Sequence, residues 1–326
     1  MHPVISVLKT KKLINMKTML KFRNLCMAVA GVLATSGMVS CGKDDPAPTV
    51  KNIVQLAQSD TTLSILVSAV SKAGLATTLS TTSNLTVFAP TNAAFRAAGY
   101  PQTVIDALTP AQVTSILTPI LTYHVVGATV TSTAVPASDT VKTLNGKNIF
   151  ASRNANGVFV NGIAVTTADL TASNGVVHKI SGVLVPPTKT IAQIVIDDPA
   201  NFSLLLTAVV KAGLADALQG PGKFTVFAPT NTAFAATPFN TADAINAADA
   251  TAVGNIVKAH VIGTNVFASD LINGATAPTL NAGQTLTVSL PAAVKITGSA
   301  STASNVTAAN IVATNGVIHV IDRVIL

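Results

Sequence analysis

The sequence predicts an α+β protein built from two tandem domains, and three observations predict it. A ten-residue phrase is written twice, Thr86-Val87-Phe88-Ala89-Pro90-Thr91-Asn92-Ala93-Ala94-Phe95 and Thr225-Val226-Phe227-Ala228-Pro229-Thr230-Asn231-Thr232-Ala233-Phe234, with nine of ten positions identical. Two later segments return in the same order. His124 before Val125-Val126 matches His260 before Val261-Ile262, and Asn174-Gly175-Val176-Val177-His178 matches Asn315-Gly316-Val317-Ile318-His319. The copies are offset by 139, 136 and 141 residues, far beyond a solenoid or propeller period, so whole domains are repeated. Finally, the hydrophobic period of the first copy changes from helical to alternating, and the second copy is similarly strand-rich.

The chain starts with an export pattern. Residues 1–24 carry Lys9, Lys11, Lys12, Lys17, Lys21 and Arg23 without an acid, and residues 25–39 follow as an apolar or small-residue stretch. Residues 1–40 are expected as a cleaved signal peptide, with Met16 and Met19 as alternative starts to Met1. Met38-Val39-Ser40-Cys41 resembles the bacterial lipobox, with methionine in place of the usual leucine, which makes Cys41 the expected site of lipid attachment. Cys26 leaves with the signal, so no internal disulfide is expected. Residues 41–52, with Pro46 and Pro48, are read as the lipidated tether. Within it Lys43, Asp44 and Asp45 resemble the signal that sends lipoproteins of Bacteroidetes-type bacteria to the outer face of the outer membrane. Removing six leader bases also removes the apparent basicity. The whole chain has 20 Lys and Arg against 13 acids, and the mature part keeps 14 against 13, so nucleic acid is not an expected partner.

The first domain is placed at residues 53–187 and the second at 188–326. Ile53 to Leu75 carries apolar residues close to the i, i+3, i+4, i+7 spacing of helices with one buried stripe, closed near Gly74, and Leu204 to Leu214 repeats the arrangement around Gly213. In the repeated phrase Thr-Val-Phe favours a strand, Pro90 and Pro229 stop it, and Thr91 and Thr230 stand where helix N-caps belong, followed by Asn92 and Asn231. Thr109-Pro110 starts a further helix, which Pro119 is expected to break or kink before Tyr123. Asn145-Gly146, Asn156-Gly157, Asn161-Gly162 and Asn174-Gly175 then read as hairpin turns between antiparallel strands. The link Pro186-Pro187-Thr188-Lys189-Thr190 is short, which limits bending between domains. Asp197 and Asp198, before Pro199, read as a helix-capping pair.

The phrase TVFAPTNxAF, a later histidine before a strand, and a closing NGVVHxI strand together resemble the fasciclin (FAS1) domain, here in two copies covering nearly everything after residue 50. The resemblance implies a compact α+β module, a wedge or sandwich of strands with helices packed at one end, used in adhesion and matrix association rather than catalysis. In animal members a Tyr-His pair and an Asp-Ile pair before the closing strand are associated with receptor attachment. Tyr123-His124 matches the first and Asp169-Leu170 resembles the second with one conservative change, whereas the second domain has Ala259-His260 and Asn310-Ile311. Tyr123, His124, Asp169 and Leu170 are therefore the candidate ligand contacts, in an exposed setting, and packing and turn roles are the alternative.

Other chemistries lack residues. His178 and His319 alternate with valine and isoleucine on a strand, the pattern of a buried histidine bonded to a carbonyl. Each domain has two histidines on separate elements and no close His pair, so no metal and no cofactor is expected. There is no GxSxG elbow, no glycine-rich phosphate loop and no glutamate, which argues against an enzyme. The expectation is a non-enzymatic surface lipoprotein, held to the membrane by its N-terminal lipid and meeting a protein or glycan ligand on a surface or matrix. A glycan-binding accessory protein and a scaffold subunit of a surface complex are the rivals. The first must do without tryptophan and with two tyrosines, Tyr100 and Tyr123.

Overall fold

The computed structural model describes residues 50–290, 294–299 and 302–326. The signal peptide, Cys41 and the Lys43, Asp44, Asp45 export signal lie outside the described residues.

In the first domain helices Ile53–Gln58, Ser64–Lys72 and Ala76–Thr81 come first. They bury Ile53, Ile65, Leu66, Ala69, Val70 and Leu79 as one stripe, and Gly74 turns the chain at φ +68°. Strand β1 (Leu85–Pro90) follows and is buried at every position. The joint then behaves as its chemistry dictates: Thr91 stays extended and its hydroxyl accepts the Ala94 N–H at 3.3 Å, starting helix Asn92–Ala97. In the second domain β8 (Phe224–Pro229) and Thr230 repeat this geometry, with the Ala233 N–H at 3.3 Å. Replacing Thr91 or Thr230 by alanine is expected to cost about 1 kcal/mol, and Phe88→Ala about 3–5 kcal/mol, since Phe88 is buried. Urea unfolding of the three variants checks this, and equal, negligible losses would refute the assignment of cap and core.

Pro119 does not break its helix. The chain passes through a π-helical turn at Val113–Leu117 and resumes as helix Thr118–Tyr123, with the proline in its first turn, where a missing N–H costs little. After β2 (Val125–Val126) the strands run β3 (Ser138–Lys142), β4 (Asn148–Asn154), β5 (Gly157–Val160), β6 (Ile163–Ala172) and β7 (Gly175–Ile180). All four Asn-Gly pairs stand at the turns joining consecutive antiparallel strands of this series, with Gly157 and Gly175 already the first residues of β5 and β7. The sheet order is β2-β1-β7-β6-β5-β4-β3, and β1 and β7 pair in parallel. One side of β1 faces the helices through Leu85, Val87 and Ala89. Phe88 points the other way into a cluster with Ile149 of β4 and Val160 of β5, so the sheet curls back on itself.

The second domain repeats the plan through β9 (Val261–Ile262), β10 (Thr276–Pro278), β11 (Thr285–Ser289), β12 (Lys295–Thr297), β13 (Ser304–Ala313) and β14 (Gly316–Ile321). Among the described residues its order is β10-β11-β12-β13-β14-β8-β9, again with the closing strand β14 parallel to β8. Each domain is thus a seven-stranded sheet with helices on one side, an α+β fold. Asp198 caps the Asn201 N–H at 3.3 Å, but Asp197 ends the preceding helix Ile191–Asp197 and pairs with Lys189 at 2.7 Å; only one of the two aspartates caps.

The domains touch through specific groups. Phe150 of β4 meets Phe267 with ring centroids 5.2 Å apart, the Ser152 hydroxyl donates to Asp270 Oδ1 at 2.5 Å, and Asn154 Nδ2 donates to the Ser269 carbonyl at 2.7 Å. Asn161 and Gly162, both at positive φ, make the tight turn between β5 and β6. That turn presses on the second domain: a Cβ on Gly162 would lie 2.6 Å from Asn310 Nδ2.

Candidate functional site

The repeated residues each do a backbone-ordering job. Thr86 and Thr225 are buried, and each hydroxyl donates to one carbonyl and accepts one N–H from the loop that follows the Val125–Val126 or Val261–Ile262 strand. Asn92 Oδ1 accepts the Ile65 N–H at 2.9 Å while its Nδ2 donates to the Thr61 carbonyl, and Asn231 does the same for Leu204 and Ala200. Asn174 accepts from Ile53 and donates to Leu79 and Thr82, and Asn315 accepts from Ile191 and donates to Leu218 and Gly220. These asparagines fasten the first helices of each domain to its sheet. Sequence reading placed them only as turn or cap neighbours, although their identity in both copies was the available signal.

The histidines are locked likewise. His124 Nδ1–H donates to the Ile120 carbonyl at 2.8 Å and its Nε2 accepts the Leu184 N–H at 2.9 Å; His260 uses the Ile256 carbonyl and the Ile325 N–H at the same distances. Burial pushes both imidazoles down to about pKa 4, with the carbonyl bond opposing. His178 stacks on Phe88 and His319 on Phe227, at 5.5 and 5.4 Å between ring centroids, and their Nε2 atoms bond the Val130 and Val266 carbonyls. An imidazole with both nitrogens held by backbone has no free lone pair for catalysis, and that describes His124, His178 and His260. Among the described residues no group of three or more His, Cys, Asp or Glu side chains is arranged to hold a metal ion.

Two of the candidate ligand contacts are corrected. Tyr123 is 0% exposed and His124 1%, so neither offers a surface to a ligand. The Tyr123 hydroxyl donates to the Asn148 carbonyl at 2.9 Å and accepts from Asn161 Nδ2 at 3.0 Å, while Asn161 Oδ1 accepts the Phe150 N–H at 2.8 Å. Burial raises this phenol to about pKa 12. The tyrosine is thus a core residue that orders the β5–β6 turn. Leu170 is half-buried against the helix-side core.

Asp169 alone of the four is exposed. It sits in a bulge of β6 at φ +59°, a left-handed conformation that aspartate and asparagine tolerate better than other side chains. Its carboxylate accepts the Ser132 N–H at 2.8 Å and the Ser132 hydroxyl, which together hold it below the usual carboxylate range, and its own N–H donates to His178 Nδ1 at 3.1 Å. Asn310 occupies the same bulge of β13 at φ +63° and accepts the Ala268 N–H at 2.8 Å. The two positions differ in surroundings. Asn310 lies half-buried against Gly162 of the first domain, whereas Asp169 is exposed.

A profile described as Fasciclin domain matches residues 61–186 and 200–326. Transforming growth factor-beta-induced protein ig-h3 of Sus scrofa is 30% identical over 295 residues, which are 90% of this chain and 40% of that protein. Periostin of Homo sapiens is 30% identical over 193 residues, 59% of this chain and 21% of periostin. The chain therefore spans less than half the length of either relative. Among solved structures, a FAS1 domain pair from the insect cell adhesion molecule fasciclin I aligns at 19% identity and a TM-score of 0.40, covering 84% of this chain and 95% of that one.

Proposed function

We propose an adhesive role outside the cell, from the premise that this chain belongs to the fasciclin domain family, with two tandem copies. The reading is a non-enzymatic surface lipoprotein, anchored through Cys41 and addressed by Lys43, Asp44 and Asp45, that attaches to a surface or matrix ligand. The observation that carries it is the contrast between Asp169 and Asn310. The same bulge is half-buried against Gly162 of the first domain in the second copy and exposed in the first, where it presents an ionised carboxylate. Exposed charge on a backbone fixed by its own hydrogen bonds is a preorganised contact point. The described residues contain no helix long and apolar enough to cross a membrane, and a lipid on Cys41 would supply the attachment.

Whole-cell attachment with wild type, a deletion and Asp169→Asn tests the reading. Asparagine serves the same bulge in the second domain, so the variant is expected to keep its fold and lose most attachment. Attachment unaffected by the deletion removes the adhesive role, and attachment kept by Asp169→Asn but lost on deletion moves the contact elsewhere. Labelling with a fatty-acid analogue that marks wild type and spares Cys41→Ser tests the anchor.

A further inference from the structure

Between the two domains lies a cleft of about 280 Å³, close to the lower size of small-ligand sites, roughly 300 Å³. The first domain lines it with Thr140, Lys147 and Asn148, and the second with Lys223, Asn265 and Thr314. Its charge is one-sided. Two lysines line it and no aspartate does, and neither lysine forms an ion pair among the described residues. Its polar groups are also incompletely used. Among the described residues Thr140 Oγ1 and Asn265 Oδ1 are buried with no hydrogen-bond partner, one from each domain. Buried polar atoms are ordinarily paired, because an unpaired one loses its water bonds and gains nothing in return. Here two such atoms belong to residues lining the same cleft.

We propose that this cleft binds one acidic sugar unit, carrying a carboxylate or a sulfate ester. The lysines call for an anion. Asn265 Oδ1 has no proton to give and calls for a donor, and Thr140 Oγ1 takes either partner, so the anion must also bear hydroxyls. Monosaccharide size fits the volume. Binding through charge and hydrogen bonds also removes the need for a tryptophan or tyrosine stacking platform. The site exists only in the tandem, since each domain supplies one lysine and one unpaired atom. The inference rests on the adhesive reading for the source of the sugar and not for the site.

Calorimetric titration of the purified chain with sodium glucuronate, N-acetylglucosamine 6-sulfate, glucose and sodium sulfate tests it. Saturable one-to-one binding of at least one acidic sugar is expected, with glucose and sulfate about tenfold weaker or more. The double variant Lys147→Gln, Lys223→Gln should weaken the acidic sugar about tenfold or more while keeping its melting temperature. Asn265→Ala should also weaken binding without lowering the melting temperature, because its Oδ1 has no hydrogen-bond partner among the described residues of the free chain; a structural role would lower it. No saturable binding of either acidic sugar, equal binding of glucose or sulfate, or wild-type affinity in the lysine variant overturns the proposal. No cells are involved, so failure here and failure of the attachment assay are separate results.

Discussion

Gly175→Ala is expected to destabilise the first domain by about 3 kcal/mol or more, and Gly316→Ala the second by as much. Gly175 stands opposite Leu85 in the parallel pairing of β7 with β1, and a Cβ there would lie 2.0 Å from the Leu85 carbonyl oxygen. At Gly316 the corresponding distance to the Phe224 oxygen is 2.1 Å. Backbone, not a flexible side-chain end, occupies the space, so relief requires the two strands to part. Gly74→Ala is the control. Its Cβ meets nothing within 4 Å and the strain is in φ alone, at +68°, which should cost about 1 kcal/mol. Urea midpoints of the three variants decide: Gly175→Ala no less stable than Gly74→Ala would show that β1 and β7 are not in this register.

Both domains are expected to lose stability as pH falls from about 6.5 towards 4, with the loss approaching about 3 kcal/mol each from His124 and His260. The folded pKa values are depressed. Across that window the unfolded chain therefore binds a proton on each imidazole that the folded chain refuses, and proton uptake favours unfolding. Burial depresses His319 too, which adds to the second domain. Denaturant midpoints at pH 7, 5.5 and 4.5 read the effect. A midpoint constant across this range would mean that the imidazoles are hydrated in the folded state.

What the sequence disclosed was what neighbouring residues decide. Thr91, Pro90 and Phe88 specify a joint within a few residues, and an Asn-Gly pair specifies its own turn, so both were legible. The parallel pairing of β1 with β7 was not, because Val87 and Val177 meet across 90 residues and carry no mark of each other. Separation along the chain also hid the setting of Tyr123. Its partner Asn161 lies 38 residues away, and a tyrosine beside a histidine reads equally as surface or core until that partner is placed. Asp169 was found through the family pattern, but its bulge, its left-handed backbone and the use of its carboxylate on Ser132 needed the register of β6 against β7.

The parallel pairing also sets how each domain carries load. A pull that enters at Ile53 and leaves beyond Leu184 reaches β1 from its N-terminal end and β7 from its C-terminal end, which are opposite ends of a parallel pair. The force then slides one strand along the other and strains the ladder from Leu85 against Gly175 to Pro90 against Ile180 all at once, where a hairpin would unzip rung by rung. The second domain has the same clamp between β8 and β14. Two such domains pulled in series yield by shear, so the weakest point under tension is set by whole ladders rather than by any single bond.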